Sequence, residues 1–284
     1  MNGSIPVLFV EGKCLAEAWE NSLVALYEKG CDIKTEYDKP EDPPSKDCSI
    51  TVVVHDPLAE PRIHKDFPGG LEDLQEYVLE VLEGIKDHLV RTDADSKEDT
   101  RWEYTYHQRM MNYSVPNFKE NFDQIETIAQ KLAKTPYSRR AQAITWKVWE
   151  DNICYDPPCL QSVWCRLLPD DNGIWTLNMN IRFRSNDAYR AAFMNMFALI
   201  KLQEEIAERI SKISGKEIKL GRYVHQADSY HIYGSNLYNF RERFLKALET
   251  RTFEERTYSY EMMRFMMDDA IPAIREKAAN MGRR

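Results

Sequence analysis

Hydrophobic and polar positions alternate along the chain in stretches of helical and of strand periodicity. Apolar residues three or four positions apart predict four helices, over 15–29, 71–90, 121–134 and 187–213. Two more helical stretches follow residue 236. Apolar residues at every second position, or in short β-branched runs, predict strands over 5–10, 49–54, 159–168 and 177–184. The proline-rich segment 38–47 and the charged segment 91–101 are predicted loops.

These elements follow one another without regular βαβ units, repeats or a linker. We therefore predict a single α+β domain over residues 1–284, in which helices pack on a mixed sheet. The chain is 43% hydrophobic and 30% charged, which is ordinary for a soluble globular protein. No signal peptide or membrane-spanning run is evident, so a cytoplasmic protein without membrane contact is expected.

Charge and cysteine usage exclude two function classes. A net charge of −8 argues against a general nucleic-acid binder, which needs a basic face, although one phosphate could still be held by a local basic pocket. The six cysteines show no paired metal-ligand spacing, so no metal site is predicted.

Cys159 stands at the entrance of a predicted strand. Pro157 and Pro158 precede it and stiffen the chain, because proline fixes φ and removes a backbone donor. A thiol on such a rigid start can be held against a ligand, although a lone cysteine is more often a small buried side chain. The interpretation of Cys159 therefore depends on the motifs around it.

Three other motifs accompany this cysteine in a fixed order. They are Ser138-Arg139-Arg140, then Arg184-Ser185-Asn186-Asp187 with Asn195 further on, and finally His231-Ile232-Tyr233. In this order and at this spacing, the four motifs resemble those of the thymidylate synthase family, which includes the pyrimidine nucleotide hydroxymethylases. The resemblance is good over residues 104–233 and weak outside them.

The resemblance implies a homodimer, paired through the sheet, in which each site takes residues from both subunits. Arg139 and Arg140 would reach the nucleotide phosphate from the partner subunit. This agrees with their adjacency, since neighbouring side chains on a strand point to opposite faces. Arg184 and Ser185 would complete the phosphate site from the home subunit. The family's glycine-rich loop with an early arginine is not found, and Arg62 is the candidate to replace that arginine.

The resemblance also implies how the base, the sugar and the folate are held. Asn195 matches the family's uracil-reading asparagine, whose amide can both donate and accept a hydrogen bond. His231 and Tyr233 match the pair that bonds the sugar hydroxyl. Asp187 matches the aspartate that holds the pterin ring of 5,10-methylenetetrahydrofolate, the implied co-substrate.

For the chemistry, the resemblance implies that Cys159 adds to carbon 6 of the pyrimidine. Tyr104, with Tyr106 as its rival, matches the tyrosine that takes part in removing the carbon 5 proton. The family also uses a glutamate to protonate the pyrimidine oxygen. The predicted helix 71–90 offers three glutamates, of which Glu76 lies nearest to the matching position.

This chain departs from the family pattern in three ways. Phe183 replaces a glutamine, one extra residue stands between Asp228 and His231, and the end of the chain, 279–284, is polar where methylating members have an apolar tail. An open site would let water trap the methylene intermediate. We expect conversion of dUMP to dTMP, with hydroxymethylation of a pyrimidine nucleotide (dUMP, UMP, dCMP or CMP) as the first alternative. The second alternative is an inactive relative that binds nucleotide or RNA.

Overall fold

The structure, a computed structural model, describes residues 3–90 and 102–281. The chain divides into two compact units. The first comprises Met1–Gly69, Asn180–Phe197 and Gly221–Arg264, and the second comprises Gly70–Met179, Ala198–Leu220 and Phe265–Arg284. The predicted loop 91–101 and the last three residues of the polar tail lie outside the described residues. A single domain over 1–284 stays a prediction.

The first unit is built on a mixed β-sheet. Its strands are β1 (Val7–Gly12), β2 (Cys31–Ile33), β3 (Ser45–Val54) and the larger parts of β7 (Trp175–Asp187) and β8 (Ile218–Ile232). The order is β1-β3-β8-β7, with β2 also paired to β3. β1 runs parallel to β3, whereas β2 and β8 run antiparallel to it. A separate antiparallel ribbon joins β4 (Ile63–His64) and β9 (Thr257–Tyr258).

Helix α1 (Leu15–Lys29) has the predicted bounds and packs in the first unit. Its apolar stripe is fully buried at Leu15, Trp19, Leu23 and Leu26. The indole nitrogen of Trp19 donates to the carbonyl of Ala188 at 2.9 Å, so this large side chain is both packed and hydrogen-bonded. Later in the unit come the short segments Gly234–Asn236 (3₁₀), α7 (Leu237–Asn239), Phe240–Leu245 (π) and α8 (Lys246–Thr250).

The second unit contains most of the remaining helices. They are α2 (Leu71–Glu83), α3 (Tyr106–Met111), α4 (Gln124–Lys134) and α5 (Val148–Asp151), with the strands β5 (Gln142–Ile144) and β6 (Leu160–Pro169). β6 lies between β5 and β7. The predicted helix 71–90 ends earlier, because Gly84 takes a left-handed conformation with φ 63° and stops α2. A 3₁₀ turn over Asp87–Leu89 follows.

Two long helices complete the fold, α6 (Ala192–Ser214) and α9 (Tyr260–Asn280). The first was predicted from residue 187 but begins at Ala192, because β7 continues to Asp187 and a turn follows. In residues 3–90 and 102–281, no helix combines the length and the hydropathy needed to cross a bilayer.

A buried ion pair organises the segment that leads to Cys159 in the second unit. Arg109 is 3% exposed and donates to both carboxylate oxygens of Asp151, at 3.0 and 2.8 Å. It also donates to the carbonyl of Thr145 at 3.1 Å. Bidentate pairing satisfies most of the guanidinium, as a buried arginine requires. This contact ties α3 to the chain between β5 and β6.

Candidate active site

Cys159 immediately precedes β6, and its thiol is half-buried and not in a disulfide. The backbone around it is anchored at two points. The amide of Leu160 donates to the hydroxyl of Tyr106 at 3.2 Å, and the side-chain amide of Gln161 donates to the carbonyl of Pro158 at 2.7 Å. These contacts, added to the two prolines, hold the thiol on a fixed stretch of chain.

Two tyrosine hydroxyls meet at this point. The hydroxyl of Tyr104 is hydrogen-bonded to Tyr106 and to the backbone amide of Cys159, and the two rings are 5.5 Å apart. Burial raises the pKa of both phenols, and the nearby Cys159 raises that of Tyr104 further. Both hydroxyls are therefore protonated at neutral pH. The structure thus brings the predicted nucleophile, the predicted tyrosine and its rival together.

Both tyrosines line a cavity of about 390 Å³ in the second unit. Its wall is otherwise formed by Tyr77, Glu80, Trp102, Glu103, Thr105 and Asp156. Aromatic rings interleaved with carboxylates suit a flat heterocycle that also makes hydrogen bonds.

Two glutamates of α2 sit in different electrostatic surroundings. Glu76 accepts from Lys86 at 2.7 Å and from Lys277 at 2.8 Å. Partial burial works to raise the pKa of Glu76, but these two lysines outweigh it and hold the pKa low. Glu80 lies one turn further on, 3.1 Å from Lys86, and burial raises its pKa.

These surroundings favour Glu80 over the predicted Glu76 as a proton donor. Glu76 is an ionised partner of two lysines and is absent from the cavity wall, whereas Glu80 is on the wall with Tyr104 and Tyr106. Glu76 and Glu80 are four residues apart in the sequence, which places them on the same face of the helix. Spacing alone could not show which glutamate is held by Lys277, because that lysine is distant in the chain.

The Arg184–Asp187 motif closes β7 in the first unit, where Arg184 and Ser185 are half-buried. Asn186 accepts a hydrogen bond from Nε2 of His225 at 3.0 Å. Burial lowers the pKa of His225 to about 3, so this ring is neutral. Phe183, which stands in place of the family's glutamine, is buried and stacks on His225 at 4.9 Å. Phe183 therefore packs in the core behind the motif.

Two predicted ligand-binding residues, Asp187 at the end of this motif and Asn195 further on, are also in the first unit. Oδ1 of Asp187 accepts from the amides of Tyr189 and Arg190, at 3.1 and 2.8 Å, and burial raises the pKa of this carboxyl. Asn195 lies in the first turn of α6 and is 6% exposed. Each is thus held on a defined stretch of backbone.

A β-bulge in β8 accommodates the extra residue between Asp228 and His231. The register of β3 against β8 shifts so that Asp228 and Ser229 stand opposite the single residue Ser49. The bulge absorbs the insertion, and His231 and Tyr233 keep their alternation beyond it. Their rings meet edge to face, with centroids 4.6 Å apart.

His231 is buried, and its two ring nitrogens differ in their contacts. Nδ1 lies 3.3 Å from the hydroxyl of Ser229. Nε2 is buried and has no hydrogen-bond partner among residues 3–90 and 102–281. Burial lowers the pKa of His231 to about 4, so the ring is neutral at pH 7. An orphaned ring nitrogen of this kind suits a hydrogen bond from a ligand.

The predicted phosphate arginines fall into two groups. Arg62 pairs with Glu60 at 3.1 Å and stacks on the ring of Tyr260 at 4.2 Å, which favours a structural role. Arg139 and Arg140 are exposed, and their guanidinium groups make no hydrogen bond or ion pair with another described residue. This pair lies in a bend before β5, so the expectation that the two side chains point to opposite faces of a strand does not apply.

Comparisons with known proteins identify the family. A solved structure, thermostable thymidylate synthase A from Bacillus subtilis, matches with a TM-score of 0.57 over 82% of this chain and 84% of that one, at 18% identity. That likeness shows the fold, and it confirms the predicted α+β class with a mixed sheet and packed helices.

The thymidylate synthase family model matches residues 20–271. A protein of Methanocaldococcus jannaschii named "Putative thymidylate synthase" is 28% identical over 84% of this chain and 96% of its own length. One of the same name from Methanosarcina acetivorans is 28% identical over 74% of this chain and 82% of its own length. The chain belongs to the thymidylate synthase family.

Proposed function

We propose that this protein transfers a one-carbon unit from methylenetetrahydrofolate to carbon 5 of a uracil nucleotide, converting dUMP to dTMP. The observation that carries the proposal is Cys159 on an anchored strand entrance, with the hydroxyl of Tyr104 bonded to the amide of Cys159 and the hydroxyl of Tyr106 bonded to the amide of Leu160. Membership of the family supports the class of reaction, since the family uses this folate as co-substrate.

Cys159 acts as the nucleophile in this proposal. Its thiolate adds to carbon 6 of uracil, and the pair of electrons from the carbon 5–carbon 6 bond moves toward the carbonyl oxygen at position 4. Carbon 5 is then nucleophilic and bonds to the one-carbon unit. The carbon 5 proton would then depart as the bonds between the one-carbon unit and the folate nitrogens break. A hydride from the folate would reduce the resulting methylene group to methyl, and loss of the thiolate from carbon 6 would restore the carbon 5–carbon 6 double bond.

Glu80 and the two tyrosines handle protons in this scheme. A carboxyl group with a raised pKa can donate a proton to an oxygen as negative charge develops on it. Glu80 has this property and shares its cavity wall with both tyrosines. Because their phenols are neutral, Tyr104 and Tyr106 act as hydrogen-bonded relays for the carbon 5 proton and not as phenolate bases.

The remaining predicted residues bind the substrates. Arg184 and Ser185 hold the phosphate, and Asn195 reads the uracil edge. The orphaned Nε2 of His231 supports a hydrogen bond to the sugar, with Tyr233 beside it. That nitrogen is closed to solvent, so the ligand contact requires a small movement of the surrounding side chains.

Two further contributions complete the binding of substrates. Asp187 would hold the pterin, since its carboxyl sits on a rigid turn and has lone pairs for ring N–H donors. The bound folate supplies the one-carbon unit and the hydride. Arg139 and Arg140, whose guanidinium groups lack described partners, reach the phosphate of the partner subunit's site. The contacts of Arg62 do not support a phosphate role.

Hydroxymethylation is the second candidate. The cavity wall carries the carboxyl groups of Glu80, Glu103 and Asp156, which hold water well. Water that reaches the methylene intermediate would give a hydroxymethyl product in place of the methyl product. Mass spectrometry of products from dUMP, UMP, dCMP and CMP with methylenetetrahydrofolate distinguishes the two outcomes. A covalent adduct with 5-fluoro-dUMP supports either enzyme, and its absence together with no product indicates a binding protein.

Replacing Glu80 by glutamine should lower kcat by about 10²–10⁴-fold, the range for a lost general acid. The protonated carboxyl is the active form, so wild-type kcat should fall as pH rises through the raised pKa of Glu80. The variant should lack this decline. The pH dependence of kcat from pH 5 to 9 measures both effects.

Two glutamates of the same helix serve as comparisons for Glu80. Glu83 is 42% exposed and pairs with Arg275 at 2.7 Å, so Glu83→Gln should retain both kcat and the pH decline. Glu76→Gln removes the partner of Lys86 and Lys277 and should lower stability while the decline persists. If the fall of kcat with rising pH disappears in Glu76→Gln and persists in Glu80→Gln, Glu76 and not Glu80 is the proton donor.

Replacing Asn195 by aspartate should shift base preference from uracil toward cytosine. An amide can turn to serve the imino and carbonyl groups of uracil, whereas a protonated carboxyl donates to the cytosine ring nitrogen and accepts from its amino group. An unpaired buried polar group costs about 1–3 kcal/mol, so the ratio of kcat/KM for dUMP and dCMP should change by about tenfold or more. An unchanged ratio would assign Asn195 a structural role in α6.

A further inference from the structure

The bulge in β8 places a serine between an aspartate and the predicted sugar-binding histidine. Ser229 donates to Oδ2 of Asp47 at 2.9 Å, and the same hydroxyl oxygen lies 3.3 Å from Nδ1 of His231. Asp47 and His231 stand opposite each other in the register of β3 and β8. The three side chains therefore form a short hydrogen-bonded line across two strands of the first unit.

The direction of these bonds fixes the proton on the imidazole. A serine hydroxyl has one hydrogen, and an ionised carboxylate can only accept. Burial raises the pKa of Asp47, whereas hydrogen bonds from the Ser229 hydroxyl and the backbone of Cys48 favour its ionised form. When Ser229 donates to Asp47, its oxygen has only lone pairs left for His231. Nδ1 must then carry the hydrogen, which leaves Nε2 with a lone pair. The ring is neutral at pH 7, since burial lowers the pKa of His231 to about 4.

The other acidic group near His231 does not offer this contact. Asp38 acts on the imidazole through its charge, but its oxygens accept from Ser45 at 2.8 Å and from Thr35 at 2.6 and 3.0 Å. Ser229 thus contacts the imidazole in two ways, through its hydroxyl oxygen 3.3 Å from Nδ1 and through a backbone hydrogen bond that works to raise the pKa of the ring, as an accepting carbonyl does. Oδ1 of Asp47 is buried and has no described hydrogen-bond partner, so the Ser229 hydroxyl also offsets the burial of this carboxylate.

We infer that Asp47 and Ser229 are positioning residues that hold His231 in the Nδ1–H tautomer, so that Nε2 accepts a hydrogen bond from a hydroxyl group of the ligand. The hydrogen bond made by one ring nitrogen of a histidine sets which of the two nitrogens is protonated. The identity of the ligand rests on the proposed function, under which the donor is the 3′-hydroxyl of the nucleotide sugar. The tautomer does not depend on it.

The tautomer can be measured directly on the protein without ligand. The chain has six histidines, so ring-nitrogen NMR shifts of ¹⁵N-histidine-labelled protein can be assigned to His231 by comparison with a His231→Gln sample. We expect the Nδ1–H pattern in the wild type and a larger share of the Nε2–H tautomer in Ser229→Ala, which keeps the backbone contact of residue 229 but loses the hydroxyl. Ser229→Thr keeps the hydroxyl and should keep the wild-type pattern.

Ser49→Ala is the matched control. Ser49 faces the same bulge, and its hydroxyl donates to the carbonyl of Asp228 without contacting His231. This variant removes a hydroxyl from the same place and should leave the His231 tautomer unchanged. If Ser49→Ala changes the tautomer as much as Ser229→Ala does, the bulge geometry and not the serine relay controls the ring, and the inference is wrong.

The consequence for recognition is tested by the ratio of Kd values for dUMP and its 3′-deoxy analogue. In the wild type the 3′-deoxy analogue should bind about tenfold more weakly than dUMP, which corresponds to one good hydrogen bond. In Ser229→Ala this Kd ratio should fall to about threefold or less, whereas Ser229→Thr should keep the wild-type ratio. An Nε2–H tautomer in the wild type, or a ratio that Ser229→Ala leaves unchanged, overturns the inference. If the wild type binds no dUMP, the proposed function fails, and the nitrogen shifts still decide the tautomer.

Discussion

Cys159→Ser is expected to lower kcat by roughly 10⁴-fold or more, because loss of a covalent nucleophile removes the pathway on which turnover depends. The hydroxyl of serine stays protonated at neutral pH and is a far weaker nucleophile than a thiolate. Serine has nearly the same shape, so the contacts of Leu160 with Tyr106 and of Gln161 with Pro158 should remain. The Kd for dUMP should therefore change by less than about threefold, since replacing one sulfur atom by oxygen alters a single contact with the nucleotide.

The other cysteines provide the controls for this experiment. Cys48 and Cys165 are fully buried, and burial raises the pKa of both thiols, that of Cys48 to about 12, which makes them inert. Cys154 is half-buried in the same segment as Cys159, so Cys154→Ser is the matched variant and should retain activity. Adduct formation with 5-fluoro-dUMP, followed by intact mass spectrometry, should be lost in Cys159→Ser alone. Turnover near the wild-type rate would remove Cys159 from the mechanism.

The sequence predicted the helices well wherever one local signal determined them. The bounds of α1 follow from a continuous apolar stripe and from Gly30, and the structure has the same bounds. Helix ends set by a backbone conformation were missed. The predicted helix 71–90 stops at Glu83 because of Gly84, whose left-handed φ cannot be told from an ordinary helical glycine by periodicity. The start of α4 at Gln124 depends on Asp123, whose side chain accepts from the amide of Glu126.

The residues of the candidate site were also predictable only where a short local motif indicated them. Short motifs indicated Cys159, Tyr104 and Tyr106. The fold brings the cysteine to the two tyrosines, although 52 residues or more of chain lie between them and it. The choice between Glu76 and Glu80 could not be made in advance. Lys86 contacts both carboxylates, and Lys277, 201 residues away in the chain, contacts Glu76 as well. A single sequence gives no signal for such long-range charge pairing.

The insertion before His231 shows a third kind of limit. The extra residue was evident in the sequence, where it made the geometry of the sugar-binding pair doubtful. Strand register answers the question, since Asp228 and Ser229 together face Ser49 and the strand resumes its alternation afterwards. A bulge depends on both strands, so only the pairing of β3 with β8 reveals that the insertion also brings Ser229 between Asp47 and His231.

The arginine pair is the part of the proposed site for which we propose a second subunit. The backbone of Arg139 is anchored by the indole of Trp164, which donates to its carbonyl at 3.2 Å, and the amide of Arg140 donates to Ser138. The two guanidinium groups themselves are exposed and have no described partner. Tyr137 and Ile144, on either side of the pair, are 55% and 41% exposed.

If these arginines act in the partner's site, two inactive variants should complement each other. In a hybrid dimer of Arg139→Ala and Cys159→Ser subunits, one site combines the intact cysteine of the first with the intact arginine of the second. Random exchange in an equal mixture makes half of the dimers hybrid, each with one complete site of two, so roughly one quarter of wild-type activity should return. A mixture of Arg139→Ala and Arg140→Ala is the matched control and should stay inactive, because no hybrid site receives both arginines. Subunit exchange is followed independently by native mass spectrometry of differently tagged subunits. If hybrids form and no activity returns in the first mixture, the arginines serve their own subunit or take no part in binding the phosphate, and the composite site is excluded.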